Sequence, residues 1–269
     1  MLTIEHSGDG RSVTVTLNRP DRRNALNHTL VTELTTVLQG LYADSQLRVI
    51  ILTGAGNVFS AGADLQALKQ LQSASFDENL LDSKALAVLF QTMMEGPKLL
   101  VARVNGHAIA GGSGLVSACD ISIASESAKF GFTEVRLGFV PALVSVLLRN
   151  RISEADLRDV LLSGRLFSAS DAVKMGLINQ SVPDKLLDTT VNEYVESICR
   201  NTSMEAIERT KALLFANSGK DFESAMHAAI RGNAQARSSE DCQAGIHAFL
   251  EKRAAPWATA YDNDHPEPA

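Results

Sequence analysis

Residues 105–120 read Asn-Gly-His-Ala-Ile-Ala-Gly-Gly-Ser-Gly-Leu-Val-Ser-Ala-Cys-Asp, and this stretch decides the fold. An apolar run, residues 99–104, precedes it, and a second apolar segment begins at Leu115. The pattern predicts a strand, a tight turn and the start of a buried helix. The glycines of the turn let backbone approach a ligand closely and leave the first N–H groups of the helix free to point at negative charge. Taken alone, the motif also fits a purely structural turn.

A second glycine-rich loop, residues 59–65, reads Phe-Ser-Ala-Gly-Ala-Asp-Leu. It too follows an apolar β-branched run, residues 49–52, which ends in the turn cluster 53–57. Two loops of this kind at strand ends bring two backbone N–H groups together. Such a pair stabilises a carbonyl oxygen that becomes an enolate, and each donor contributes on the order of a few kcal/mol in the transition state.

Five segments, taken in order, resemble the crotonase (enoyl-CoA hydratase/isomerase) superfamily. They are Asn18-Arg19-Pro20 with Asn24-Ala25-Leu26-Asn27, then residues 59–65, 105–112, 130–134 and 248–253. Because they span nearly the whole chain, the match is more specific than a lone glycine motif. The resemblance implies an α/β fold, with a crotonase-type spiral of ββα turns and the CoA-thioester site in residues 1–200. It further implies a C-terminal helical trimerisation region in residues 201–269.

Composition narrows the classes of function. A chain of 269 residues with 45% hydrophobic residues can bury a sizeable core as one large domain. Its net charge of −6 argues against a nucleic-acid partner, because a phosphate backbone requires a basic face. No segment reaches about 18 uninterrupted apolar residues, and no basic region precedes an apolar run at the N-terminus. We therefore expect a cytoplasmic protein without membrane association.

Cysteine and histidine spacing gives no indication of a disulfide or a metal site. Cys119, Cys199 and Cys242 are odd in number and far apart, which is typical of reduced thiols that fill a core. The six histidines never stand at metal-ligand spacing from cysteines or carboxylates. We expect no metal and no cofactor, since coenzyme A is part of the implied substrate.

Hydrophobic periodicity predicts the elements along the chain. The predicted strands are 12–17, 49–52, 99–104, 120–125 and 128–132, and the predicted helices of the first half follow Asn27 and cover 80–94. Serines at 153 and 168 and Pro141 mark further helix starts. From residue 186 the pattern is purely helical, with segments 186–199, 204–215 and one long helix from 222 to about 253. The polar, proline-rich tail, 262–269, is predicted to fray.

The resemblance assigns chemistry to three residues. Ala63 and Gly111 match the two positions whose N–H groups bind the thioester oxygen, and their small side chains leave room for the thioester. The alternative is that both are structural turn residues. Glu134 is the candidate acid/base, since the apolar residues before it favour a raised pKa. The alternative is a solvated glutamate at a strand end.

The sequence departs from the family pattern at Gly114, where typical hydratases carry a second glutamate. Hydration of an enoyl thioester favours two carboxylates, whereas moving a double bond from position 3 to position 2 needs one base. The surroundings, residues 112–116 and 134–142, most resemble methylglutaconyl-CoA-hydratase-like members, some of which also have glycine there. The prediction is therefore a 2-enoyl-CoA hydratase of leucine-like catabolism. The alternatives are a Δ3-Δ2-enoyl-CoA isomerase and a non-catalytic acyl-CoA-binding protein.

The resemblance also implies where coenzyme A and neighbouring subunits bind. The CoA-binding residues are Arg22, Arg23, Ala25, Ala61, Asp64, Leu65, Gly112 and Lys252. Lys252 matches a basic residue that reaches a phosphate from a neighbouring subunit, so a homotrimer or a dimer of trimers is expected. Gln66 replaces a lysine common in relatives, which shifts the expected phosphate contact toward the two arginines. His107 and Asp120 are predicted to have hydrogen-bonding, structural roles.

Overall fold

The computed structural model describes residues 1–265, apart from the side chain of Leu71. Within these residues the strands form a six-stranded sheet in the order β1-β2-β3-β5-β7-β10 and a four-stranded sheet in the order β4-β6-β8-β9. The strands are β1 (Leu2–His6), β2 (Ser12–Leu17), β3 (Val49–Gly54), β4 (Val58–Ser60), β5 (Leu99–Val104), β6 (His107–Ile109), β7 (Ile121–Ser125), β8 (Lys129–Gly131), β9 (Leu166–Ser168) and β10 (Gln180–Val182).

Most neighbouring strands run parallel, and only the β1–β2 and β8–β9 pairs are antiparallel within the described part of the chain. Parallel pairing requires crossover connections, which the intervening helices supply. The helices are α1 (His28–Tyr42), α2 (Leu65–Leu71), α3 (Phe76–Glu95), α4 (Gly111–Ala118), α5 (Ala142–Leu148), α6 (Glu154–Ser163), α7 (Ala169–Lys174), α8 (Leu187–Asn201), α9 (Met204–Asn217), α10 (Phe222–Arg237), α11 (Glu240–Leu250) and α12 (Pro256–Asp264).

The large sheet is buried on both faces, as β3 shows. All six of its residues are buried, and the first four alternate between two hydrophobic clusters. Ile50 and Leu52 belong to the cluster that includes α1, α3 and α4, whereas Val49 and Ile51 belong to the cluster that includes α8. This arrangement confirms the predicted α/β class, because a parallel sheet needs helices on both faces.

A buried ion pair attaches α9 to the sheet. The Lys211 ammonium donates to a carboxylate oxygen of Asp120 at 2.5 Å and to the backbone oxygen of Lys98 at 2.6 Å. The same Asp120 oxygen accepts from the N–H of Leu100 at 2.7 Å. The predicted structural role of Asp120 is therefore confirmed.

The C-terminal prediction was wrong in two respects. The long helix expected over 222–253 is broken, because α10 ends at Arg237 and the Ser239 side chain accepts from the N–H of Cys242 to start α11. The tail is helical through Asp264, since Pro256 starts α12 with a preset φ. Residues 266–269 of the predicted frayed tail lie outside the described residues.

Cysteines 119 and 199 are buried and reduced, as predicted, while Cys242 is half-buried. No helix in residues 1–265 combines the length and the apolarity needed to cross a bilayer.

Candidate active site

The structure brings the two glycine-rich loops into direct contact. β4 and β6 pair in parallel, with Val58 opposite His107 and Ser60 opposite Ala108. Beyond this pairing Gly62 has a φ of +83°, and a Cβ on it would lie only 2.7 Å from the carbonyl oxygen of Ile109 and 3.5 Å from the amide nitrogen of Gly111. Glycine is required at position 62, because it alone tolerates both this φ and this approach.

The amide of Ala63 is turned toward open space by a short bridge to Leu26. The N–H of Leu26 donates to the carbonyl oxygen of Gly62 at 2.7 Å, and the N–H of Asp64 donates to that of Leu26 at 2.8 Å. The Gly62 carbonyl and the Ala63 N–H belong to one trans peptide, so they point in opposite directions. The Ala63 N–H therefore points away from Leu26, and no acceptor for it occurs within residues 1–265.

The amide of Gly111 is the first donor of α4. Ala110, which precedes the helix, donates its N–H to Gly131 at 2.7 Å and accepts from Gly114 at 3.0 Å. Ala110 has φ +49° and ψ −120°, a conformation that alanine rarely adopts. The described part of the chain offers no hydrogen-bond acceptor to the Gly111 N–H, so it remains available at the positive end of the helix.

A network of paired polar groups holds the segment that contains Ala63 in place. Arg19 donates to the carboxylate of Asp64 at 2.8 Å and to the carbonyl oxygen of Ala25 at 2.5 Å. Burial raises the pKa of Asp64, but hydrogen bonds from the Gln66 N–H and Arg19, together with the Arg19 charge, lower the pKa below its ordinary value. Arg19 belongs to the Asn-Arg-Pro segment, but nothing in the sequence indicated that it pairs with Asp64.

Asn24 joins the same network from the next turn. Its side chain donates to the carbonyl oxygens of Ala55 at 2.9 Å and Val58 at 2.7 Å, and accepts from the N–H of Arg19 at 2.9 Å. The residue is fully buried and has a φ of +52°. It therefore connects the end of β2 to the start of β4. Its position in the Asn-Ala-Leu-Asn segment was the only sequence signal for this role.

Glu134 follows β8 and opens a single turn of 3-10 helix. The Ser113 hydroxyl on α4 donates to Ala108 at 2.6 Å and accepts from the N–H of Gly131 at 3.3 Å, which ties β8 to the helix that begins at Gly111. One carboxylate oxygen of Glu134, Oε2, is buried and has no hydrogen-bond partner within residues 1–265. Burial raises the pKa of Glu134, opposed by a hydrogen bond from its own backbone.

The position of the second glutamate of typical hydratases is filled by apolar side chains. A Cβ on Gly114 would lie 2.8 Å from Cζ of Phe90 and 2.9 Å from Cγ1 of Val144. Both side chains are almost completely buried. The missing carboxylate at this position follows from the sequence, whereas the packing that fills its place could not be predicted from it.

The loop predicted to hold coenzyme A lies beside the second glycine-rich loop, residues 59–65. Arg22 and Arg23 are exposed on the turn after β2, and the N–H of Ala61 donates to the carbonyl oxygen of Arg23 at 3.0 Å. Ala25 is buried in the same turn, and Leu65 is 72% exposed on the first turn of α2. These predicted CoA residues are thus brought together in one region, with Arg22, Arg23 and Leu65 exposed and Ala25 buried beneath them.

The other predicted positions are more separate. Gly112 is buried, and a Cβ on it would lie 2.4 Å from the carbonyl oxygen of Ser60, so it fits a packing role as well as a binding one. Lys252 is exposed just after α11, which packs on α9, α10 and α12. None of these helices carries another predicted site residue, so Lys252 is not brought near the other predicted CoA-binding residues. His107 accepts from the N–H of Lys129 at 3.1 Å, as its predicted structural role requires.

Comparison with known proteins is consistent with this geometry. The family model described as enoyl-CoA hydratase/isomerase matches residues 10–260. A Thermus thermophilus protein that carries an enoyl-CoA hydratase name is 40% identical over 91% of this chain and 96% of its own. The mevalonyl-coenzyme A hydratase of Aspergillus fumigatus is 34% identical over 90% of each chain. The crystal structure of an enoyl-CoA hydratase from Mycobacterium smegmatis superposes with a TM-score of 0.89 at 29% identity, covering 95% of this chain and 98% of that one.

Replacing Ala110 with glycine is expected to stabilise the protein. A non-glycine residue at this φ and ψ costs roughly 1–3 kcal/mol, while glycine adds about 0.5–1 kcal/mol of unfolded-state entropy. We expect a net gain of about 1 kcal/mol in the free energy of unfolding, measured by urea denaturation. Ala108→Gly, which removes the same methyl from a buried strand residue, is the control and should destabilise. A lower free energy of unfolding for Ala110→Gly would contradict the conclusion that the Ala110 backbone is strained.

Stability is also expected to depend on the ionisation of Glu134. Because its pKa is raised on folding, the folded state binds more protons than the unfolded state between the ordinary value of 4.5 and the raised pKa, so stability falls as pH rises through this window. We expect Glu134→Gln to raise the Tm at pH 8 by on the order of 2 °C and the difference to vanish near pH 4. The control is Glu126→Gln, a substitution at an exposed turn, whose Tm should follow that of the wild type. An equal Tm for Glu134→Gln and wild type at pH 8 would refute the conclusion that the Glu134 carboxylate is buried without a partner.

Proposed function

Because this chain belongs to the enoyl-CoA hydratase/isomerase family, we propose that it hydrates a 2-enoyl-CoA thioester. The observation that carries the proposal is the buried, unpartnered carboxylate oxygen of Glu134, and the free amides of Ala63 and Gly111 support it. A carboxylate without a partner is available to accept a proton, and two convergent N–H groups are suited to an oxygen that gains charge.

The proposed reaction proceeds through an enolate. A water oxygen bonds to C3 of the enoyl group while its proton passes to Glu134, and the electrons of the C2–C3 double bond move onto the thioester oxygen. The N–H groups of Ala63 and Gly111 stabilise this oxygen. Glu134 then returns the proton to C2, and the thioester carbonyl reforms. One carboxylate thus serves as base and acid in turn, so the net change is the addition of one water.

A second candidate, enoyl-CoA isomerisation, is favoured by the packing at Gly114. Phe90 and Val144 leave no place for a second carboxylate, and isomerisation needs only one. In this reaction Glu134 removes a proton from C2 of a 3-enoyl thioester and returns it to C4 through the same stabilised enolate. The mass of the substrate does not change.

The remaining parts of the proposal concern recognition. The exposed side chains of Arg22 and Arg23 supply positive charge for the CoA phosphates, and Lys252 reaches a phosphate of a neighbouring subunit in a trimer or a dimer of trimers. The acyl group is short and branched or carboxylated, in the manner of methylglutaconyl-CoA. This last point is supported by the residues around positions 114 and 134 and by the short-chain name of a Clostridium acetobutylicum relative at 30% identity.

Mass spectrometry with paired 2-enoyl and 3-enoyl thioesters separates the candidates. We expect the 2-enoyl substrates, including a methylglutaconyl thioester, to give a product heavier by one water. A product of unchanged mass, formed only from the 3-enoyl substrate, would replace the hydratase with the isomerase. Binding of acyl-CoA without turnover of any substrate would support the non-catalytic alternative instead.

Glu134→Gln is expected to lower kcat by on the order of 10³-fold, since it removes the group that moves the proton. Glutamine keeps the size of the side chain, so KM should change little. Steady-state kinetics of the wild type, Glu134→Gln and the control Glu126→Gln would measure both parameters. Near-normal turnover in Glu134→Gln would refute the assignment of the acid/base.

A further inference from the structure

The space beside Gly114, one helical turn after the predicted oxyanion amide of Gly111, is bounded by two side chains. Gly114 lies three residues after Gly111 on α4, so both occupy one face of the helix, and a Cβ at 114 leans toward the helix N-terminus. The atoms that meet this position are Cζ of Phe90, from α3, and Cγ1 of Val144, from α5. These two side chains therefore form a wall beside the N-terminus of α4.

The direction of the acyl group follows from where the CoA loop lies. Leu26, which belongs to that loop, bridges to Ala63 and contacts the position of a Gly111 Cβ at 3.1 Å. With the thioester oxygen held between Ala63 and Gly111, the CoA arm occupies the side of this loop. The acyl chain must then leave along the opposite side, past Gly114 and toward Phe90.

A cavity lies behind this wall. It has a volume of about 670 Å³, is partly open to solvent and runs between α3, α4, α5 and α9, and its lining includes Phe90 together with Met94, Leu143 and Leu147. Apolar atoms make up most of its surface. The tip of the Phe90 ring thus occupies the space beside Gly114, and Phe90 lines the cavity as well, while Val144 closes the same space from α5.

We infer that Phe90 sets the acyl-chain length by separating the acyl site from this cavity, an inference that rests on the proposed function. The ring limits the site to short acyl groups, and a smaller side chain opens a path into the cavity for longer ones. The cavity can hold a longer chain because most of its lining surface is apolar, while Asp120, Arg151 and Lys211 add charged groups to the rest. Each additional buried methylene is worth about fourfold in affinity.

The test measures dissociation constants of saturated butanoyl-, octanoyl- and dodecanoyl-CoA by calorimetry. These thioesters require no chemistry, so binding is read separately from turnover. We expect the wild type to bind dodecanoyl-CoA no tighter than butanoyl-CoA, and Phe90→Ala to gain tenfold or more for dodecanoyl-CoA alone. Met94→Ala, which enlarges the same cavity one helical turn further on, should keep the wild-type profile. Phe90→Leu gives a milder second variant if alanine impairs folding, with a smaller gain in the same direction.

Three outcomes would overturn the inference. An unchanged chain-length profile in the folded Phe90 variants would show that the ring is not the limit. Wild-type protein that already prefers dodecanoyl-CoA would show that no limit exists. Failure of the wild type to bind any acyl-CoA would remove the inference together with the proposed function, a pattern that the first two results do not produce.

Discussion

The close approach of two backbone segments is the constraint on which the rest of the site depends. Along the seam between β4 and β6, glycines replace side chains that would collide with the facing strand. A Cβ on Gly106 would lie 2.1 Å from the Asn57 carbonyl oxygen, and Gly62 and Gly112 meet backbone atoms of Ile109 and Ser60 in the same way. This contact brings the segment after β4 close to the N-terminus of α4, as the proposed oxyanion site at Ala63 and Gly111 requires. The strain at Ala110 is a local consequence of the same approach.

The polar groups around this seam divide into those that are satisfied and those that are not. Arg19, Asp64 and Asn24 hydrogen-bond to each other or to backbone groups, and these bonds hold the loops in place. The N–H groups of Ala63 and Gly111 and the Oε2 atom of Glu134 lack partners in the described chain. The buried Oε2 atom is unfavourable without a partner in a folded protein, and a bound ligand would supply partners for all three groups. The proposed reaction uses these groups alone.

Local signals in the sequence were sufficient for much of the fold. Side-chain caps at Asn27, Ser153 and Ser168 start helices where predicted, and the apolar runs at 49–52 and 99–104 form strands. The three-residue strands β4, β6, β9 and β10 were not predicted, because so short a segment has no detectable periodicity, and β1 was also missed. The break before Ser239 was missed because it interrupts an otherwise continuous helical pattern. Glu134 was identified by resemblance, but its unpartnered oxygen depends on packing that no local pattern encodes. The same holds for Phe90 and Val144, which lie 24 and 30 residues from Gly114 in the sequence.

The packing at Gly114 also constrains how this protein can change during evolution. A single substitution that introduced glutamate at 114 would place its Cβ within 3 Å of both Phe90 and Val144. Such a variant meets steric overlap on two helices before it offers any new carboxylate. A two-carboxylate descendant therefore has to shrink the neighbours first, and each of those steps removes core volume without a catalytic return. The single glutamate is thus maintained by the packing of three helices, α3, α4 and α5, around position 114.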